Sequence, residues 1–190
     1  MRSFEVIRET KETAIKVNIS LDGTGTVKAD TNIPFFDHML NSFGRHGGFD
    51  LTVEAKGDLM IDSHHTIEDI GIVLGQAIAG ALGDMKGIER FSHMAVPMDE
   101  AIAYATLDLG GRPFLVMEGN FSGGLPFPDS LIEHFFYSLC TNAKITAHLS
   151  FSGRDSHHMC EALFKAFGVS LKIASRVDPD KGIPSTKGIL

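Results

Sequence analysis

The feature that most constrains this chain is a motif written twice. Asp37–Gly47 reads DHMLNSFGRHG and is followed by SHHTIED at Ser63–Asp69. Glu133–Ala143 reads EHFFYSLCTNA and is followed by SHHMCEA at Ser156–Ala162. An acid–histidine pair opens each copy, and Ser-His-His-x-x-Glu closes it. The spacing from the first histidine to the pair is 26 residues in one copy (His38 to His64) and 23 in the other (His134 to His157). Two copies supply six histidines and two glutamates, enough ligands for two metal ions.

The elements around the copies repeat as well. Ala14–Leu21 alternates apolar and polar residues as a strand does, Asp22–Gly25 is a hairpin turn signal, and Thr26–Ala29 is the expected return strand. Pro34 precedes an apolar-periodic helix over Phe35–Phe43, stopped by Gly47-Gly48. Phe49, Leu51 and Val53 alternate as a strand, and Ser63 is the expected N-cap of a helix to about Leu82. In the second half, Ala101–Leu109 and Pro113–Glu118 read as strands and Gly119–Pro128 as a loop. Ser130–Asn142 reads as a helix, Ile145–Phe151 as a strand, and Asp155 or Ser156 caps a helix to about Ser175. The tail from Asp178 is expected to be extended. A period of about 95 residues is far too long for a solenoid. It implies an internally duplicated α+β domain with a half-repeat over 1–92 and another over 93–190, each with a mostly antiparallel sheet and two helices on one face.

Helical geometry assigns the motif residues. Positions i and i+4 share a face, whereas neighbours point about 100° apart. His64 with Glu68, and His157 with Glu161, can therefore each reach one ion. His65 and His158 point elsewhere, so each His-His pair divides two sites. Exchange symmetry between the copies asks each ion to take a His-Glu pair from one copy and the lone histidine from the other. One self-consistent solution is His38, His65, His157 and Glu161 around one ion, and His64, Glu68, His134 and His158 around the second. Geometry alone leaves open to which set His38 belongs. Three imidazoles and a carboxylate without thiolate suit Mn²⁺, Fe²⁺, Co²⁺ or Zn²⁺. Room for substrate on a six-coordinate ion favours Mn²⁺ over tetrahedral Zn²⁺.

The composition limits the alternatives. A net charge of −7 and the absence of a Lys/Arg-rich run argue against nucleic acid. No apolar stretch reaches membrane-spanning length, and Met1–Val6 has neither signal-peptide nor transit character. Cys140 and Cys160 sit in apolar helical patterns and read as reduced core residues, so the expected location is the cytoplasm.

FFDHML (Phe35–Leu40), HGGFDL (His46–Leu51), HHTIED (His64–Asp69) and SHHMCEA (Ser156–Ala162) resemble imidazoleglycerol-phosphate dehydratases. RETKET (Arg8–Thr13), GIERF (Gly87–Phe91), PMDEA (Pro97–Ala101), GRP (Gly111–Pro113) and the C-terminal IPSTKGIL do so too, so the resemblance covers nearly the whole chain. It implies a fold like that of ribosomal protein S5 domain 2. It also implies two Mn²⁺ per active site, a 24-subunit shell with sites between subunits, and the ligand pairing given above. The implied reaction dehydrates imidazole glycerol phosphate to imidazole acetol phosphate in histidine biosynthesis, through a metal-bound imidazolate and a diazafulvene-like intermediate. By the same resemblance Glu12 is the acid–base residue and a substrate contact, with Glu9 its near competitor. Arg90, Arg112, Ser185, Thr186 and Lys187 hold the phosphate, and His46 contacts substrate. Asp99 and Glu100 read either as outer partners of metal histidines or as solvated charges. A binuclear hydrolase would instead show carboxylates bridging its ions, whereas a purely structural metal assembly predicts no turnover.

Overall fold

The structure, a computed structural model, describes residues 1–186. Its first half comprises β1 (Ser3–Glu9), β2 (Thr13–Ser20), β3 (Val27–Asp30), α1 (Pro34–Gly47), β4 (Asp50–Gly57) and α2 (His64–Leu82). The second comprises β5 (Phe91–Met98), β6 (Ala101–Asp108), β7 (Phe114–Glu118), α3 (Ser130–Ala143), β8 (Thr146–Ser152) and α4 (Ser156–Ala174). Each half forms a four-stranded mixed sheet, ordered β1-β2-β4-β3 and β5-β6-β8-β7. The first three strands of each order are antiparallel and the last pair is parallel. The fold is the duplicated α+β arrangement that the repeated motif implies.

The expected hairpin at Asp22–Gly25 does not form. β4, not β3, takes the free side of β2, and β3 lies parallel to β4 on the far edge. Asp50 at the start of β4 draws the connection across: its Oδ1 accepts from the backbone N–H of Thr24 (2.9 Å) and of Thr26 (3.0 Å). The edge strands β1 and β5 escape the sequence pattern because neither has a fully buried residue. Pro97 inside β5 further masks it, as proline is tolerated on an edge.

Alternation on the central strands places one face of each sheet in the core. Ile15, Val17 and Ile19 of β2 stand opposite Ala55, Val53 and Leu51 of β4. Ala103, Ala105 and Leu107 of β6 face Phe151, Leu149 and Ala147 of β8, so small residues meet large ones. Helix α2 packs on β1 and β2, and α4 on β5 and β6, while α1 pairs with α4 and α3 with α2. The helices thus form the seam between halves. Phe36 of α1, Phe135 and Phe136 of α3, and Phe164 and Phe167 of α4 are all essentially inaccessible there. Each contributes roughly 1.5–3 kcal/mol of transfer free energy.

Two glycines set the closeness of that seam. A Cβ on Gly75 of α2 would fall 2.5 Å from the Leu139 carbonyl oxygen of α3. A Cβ on Gly168 of α4 would fall 2.4 Å from the Phe43 carbonyl oxygen of α1. Gly168 follows Gly75 by 93 residues, the spacing that separates His157 from His64. The helix crossings and the motif therefore obey one duplication.

Candidate metal centres

Both long helices begin at an aspartate two residues before the histidine pair. Asp155 Oδ1 accepts from the backbone N–H of His157 (2.8 Å) and of His158 (3.3 Å). Asp62 Oδ1 accepts from the His64 N–H at 2.7 Å. Ser63 occupies the expected N-cap position, but its side chain makes no capping bond; Asp62 does that work. The caps fix where each histidine pair leaves its helix. The rings of His64 and His65 are inclined at 77°, and those of His157 and His158 at 81°, and only the first of each pair joins a ligand cluster.

Two clusters of three ligand groups result, His38 with His157 and Glu161, and His64 with Glu68 and His134. Each combines the His-Glu pair of one half with the α1 or α3 histidine of the other, which places His38 beside Glu161. His38 Nε2 lies 3.0 Å and His157 Nε2 3.3 Å from Glu161 Oε2. Glu68 Oε2 lies 3.6 Å from His64 Nε2, and its Oε1 lies 3.3 Å from His134 Nε2. That His134 nitrogen is buried with no hydrogen-bond partner. A buried ring nitrogen without a hydrogen-bond partner is costly, and an ion held between it and Glu68 would satisfy both groups. A divalent cation that prefers imidazole and carboxylate fits both clusters.

His65 and His158 belong to neither in-chain cluster. His65 Nδ1 lies 2.9 Å from Asp58 Oδ2 and 3.8 Å from Glu12 Oε2. His158 Nδ1 lies 2.9 Å from Glu100 Oε2. The Asp58 bond raises the His65 pKa, aided by Glu12, and the Glu100 bond raises that of His158. Glu100 is held down to about 2 by His158 and by the backbone N–H groups of Asp155 and Arg154. For Glu161, burial opposes ionisation, but donation from Lys165 and His38 outweighs it and holds the carboxyl at about 2.

Glu12 stands at the turn between β1 and β2 with its side chain 57% exposed. The turn is fastened to α2 by buried Asp69, which accepts from Thr13 Oγ1 and from Arg8 Nε. His46 lies on the last turn of α1, which ends at Gly47 with Gly48 as its cap where the Gly47-Gly48 stop signal stands, and shares a cleft of about 320 Å³ with His38, Asn41, Arg45 and Glu161. Burial, then Lys165, lowers its pKa.

Asp99 stays at this end, its Oδ2 3.8 Å from His158 Nε2, whereas Arg90, Arg112, Ser185 and Thr186 lie at the other end of the molecule. Arg90 donates to Asp108 (2.7 Å) and to the Pro184 carbonyl (2.8 Å), which brings Ser185 beside it. Its backbone N–H reaches the Ala174 carbonyl at the C-terminal end of α4. Arg112 is exposed in the turn after β6, and Thr186 is exposed in the tail. Lys187 lies outside the described residues. From His157 to Ala174 the helix rises about 25 Å, so these cationic groups cannot share a small ligand with the α4 histidines of the same chain. Sequence reasoning did not single out Asp58, Asp62, Asp69, Arg45 or Lys165. Asp58, Asp62 and Lys165 lie outside the repeated segments, and Arg45 and Asp69 lie inside them where the second copy has Thr141 and Ala162, although Asp62 and Asp155 precede the pairs at equal distance.

Comparison with known proteins settles the family. The model for imidazoleglycerol-phosphate dehydratase matches residues 31–171. The chain belongs to the imidazoleglycerol-phosphate dehydratase family. Curated members from Methanoculleus marisnigri and Methanospirillum hungatei are 58% and 56% identical, and each match covers 100% of both chains. The crystal structure of the Staphylococcus aureus dehydratase superposes with a TM-score of 0.83 at 35% identity, over 93% of this chain and 99% of that one. The Pyrococcus furiosus dehydratase gives a TM-score of 0.85 at 34% identity, over 97% of this chain and 100% of that one. The chain is thus a hydro-lyase. Cys140 and Cys160 are free and buried as expected, and burial pushes the Cys140 thiol up to about 12. No helix among the described residues is long and apolar enough to cross a membrane.

Proposed function

We propose that this hydro-lyase removes water from imidazole glycerol phosphate to give imidazole acetol phosphate in histidine biosynthesis, at sites completed by more than one subunit. The observation that carries the composite site is the separation just described. One end of the molecule presents the two His-Glu clusters and Glu12, and the opposite end presents Arg90, Arg112 and the Ser185 tail. The lone histidines His65 and His158 also stay outside their chain's own clusters, which leaves the four-ligand sets to be finished by neighbouring copies. A closed shell of 24 subunits is the assembly this reading takes, with two Mn²⁺ per site.

Bound ions would act as Lewis acids on the imidazole nitrogens and make the ring an electron sink for a proton that no carbonyl acidifies. His38, His157 and Glu161 would hold one ion with a lone histidine, and His64, Glu68 and His134 the other. His65 and His158 are the fourth ligands in the pairing given above. Glu12 is exposed and anchored through Thr13 to Asp69, so its carboxylate can exchange a proton with substrate carbon or departing hydroxyl. Arg90, Arg112, Ser185, Thr186 and Lys187 would bind the phosphate with charge-assisted hydrogen bonds. His46 would line the substrate cleft. Loss of hydroxide through a diazafulvene-like intermediate and tautomerisation to the ketone are part of the same proposal.

Subunit mixing tests it. His157→Ala and Arg112→Ala variants are each expected to make little imidazole acetol phosphate with added Mn²⁺. Co-assembled, they should regain a measurable fraction, because some sites combine an intact metal end with an intact phosphate end. No product from the unmodified protein would overturn the reaction, and no complementation would overturn the shared site.

A further inference from the structure

The duplication places Glu12 and Glu100 in equivalent positions. Glu12 immediately precedes β2 and Glu100 immediately precedes β6. Each lies beside the lone histidine of its half, yet at different distances: 3.8 Å from Glu12 Oε2 to His65 Nδ1, and 2.9 Å from Glu100 Oε2 to His158 Nδ1. The difference traces to the residue after the strand that pairs with β2 or β6. After β4, Asp58 sends its own carboxylate to His65 Nδ1 at 2.9 Å. Counted from the glycines Gly57 and Gly153 at the ends of these strands, the matching position in the second half holds Arg154, which has no acceptor side chain. There the Arg154 and Asp155 backbone N–H groups donate to Glu100 Oε1 at 3.1 and 2.9 Å, and Glu100 Oε2 reaches His158. Glu100 is correspondingly drawn in, with its side chain 21% exposed against 57% for Glu12.

We propose that Asp58 and Glu100 are the positioning carboxylates of the two lone histidines, and that Asp58 takes over in the first half the duty that Glu100 performs in the second. A carboxylate at Nδ1 accepts the ring N–H, fixes that tautomer and leaves the Nε2 lone pair for a metal; exposed Asp99 stands 3.8 Å from His158 Nε2, beyond hydrogen-bond reach. Because Asp58 takes the His65 hydrogen bond, Glu12 stays 3.8 Å from the ring and is able to move protons. The two halves began with one acid beside one histidine and divided the labour differently. The inference rests on the metal-site reading above.

The test is Mn²⁺ binding by equilibrium dialysis of the full-length protein after chelation, without substrate or turnover. Asp58→Ala and Glu100→Ala are each expected to weaken one class of Mn²⁺ site by roughly 10–100-fold. Glu12→Ala should show no loss of that size, because Glu12 does not hold the histidine ring. Arg154→Asp introduced into the Glu100→Ala protein recreates the first-half arrangement and should recover affinity, which a merely folding role of Glu100 would not allow. Asp58→Asn and Glu100→Gln keep the volume and an acceptor oxygen, so they serve if an alanine variant does not fold. Unchanged affinity in both conservative and alanine variants overturns the inference. Absence of Mn²⁺ binding by the unmodified protein instead overturns the metal-site reading beneath it.

Discussion

Lys165 donates from Nζ to Glu161 Oε1 at 2.7 Å, and the equivalent position on α2 is Ile72. Glu161 therefore offers mainly Oε2 to its histidines, while Glu68 spreads one oxygen to His64 and the other to His134. The duplicated sites are alike in ligand type and different in how their carboxylate is presented. Lys165→Met should make the first site resemble the second. Two distinguishable classes of Mn²⁺ binding in calorimetry would then converge on one; an isotherm unchanged by the substitution contradicts this.

Glu12→Gln should keep metal and particle size but lower kcat by roughly 10²–10⁴-fold, the usual contribution of a positioned acid–base group. Steady-state kinetics with the phosphate substrate read this out. Full activity would move the role to a neighbour, with Glu9 the first to examine.

Asp69→Asn should act on the same step from a distance. Asp69 holds the Glu12 turn through Arg8 and Thr13, so loosening it misplaces Glu12 without removing it. The expected signature is a fall in kcat with Mn²⁺ affinity retained. A normal kcat would show that the turn is held well enough without that anchor.

Gly75→Ala and Gly168→Ala should each destabilise the protein by about 1–3 kcal/mol, because a backbone carbonyl stands where the methyl group would go. Denaturant titration should show similar losses for the two, as their surroundings are duplicates. A cost at one position only would mean that one helix crossing can relax.

Acid should destabilise the fold through carboxylates held low. Asp22, gripped by Arg2, has its pKa lowered from 3.8 to about 2, and Glu100 and Glu161 also lie at about 2. A depressed carboxylate contributes stability above its unfolded pKa and loses it as pH falls through the folded value. Stability should therefore hold above about pH 4 and decline between about pH 4 and 2. Asp22→Asn should flatten part of that decline in circular-dichroism titrations. The effect will be small, since Asp22 is a surface group partly screened by solvent. An acid transition wholly unaffected by Asp22→Asn would remove the Arg2 pair from the account.

The central strands and the histidine spacing were legible because each carries a strong periodic signal. Alternation marked β2, β4, β6 and β8, and the i, i+4 rule paired His64 with Glu68 and His157 with Glu161. The edge strands β1 and β5 were not, since edges bury too little to enforce alternation. The path of β3 was hidden because a turn signature at Asp22–Gly25 cannot reveal that Asp50 will seize the loop from another strand. Asp58 and Asp69 were invisible for a related reason. Their importance comes from what folding brings beside them, seven residues away in one case and 56 in the other.

Gly75 beneath Leu139 and Gly168 beneath Phe43 have a wider meaning. Each half meets the other along its helices in the way that two copies of one molecule meet across a twofold axis. A chain severed between Leu82 and Phe91 would give two fragments, each with a sheet roofed by helices whose best partners had left. Neither should be a self-sufficient body; together they should reassemble as a heterodimer. The linker between them thus keeps two partners at high local concentration, and the covalent monomer is, in its interior, a tethered dimer.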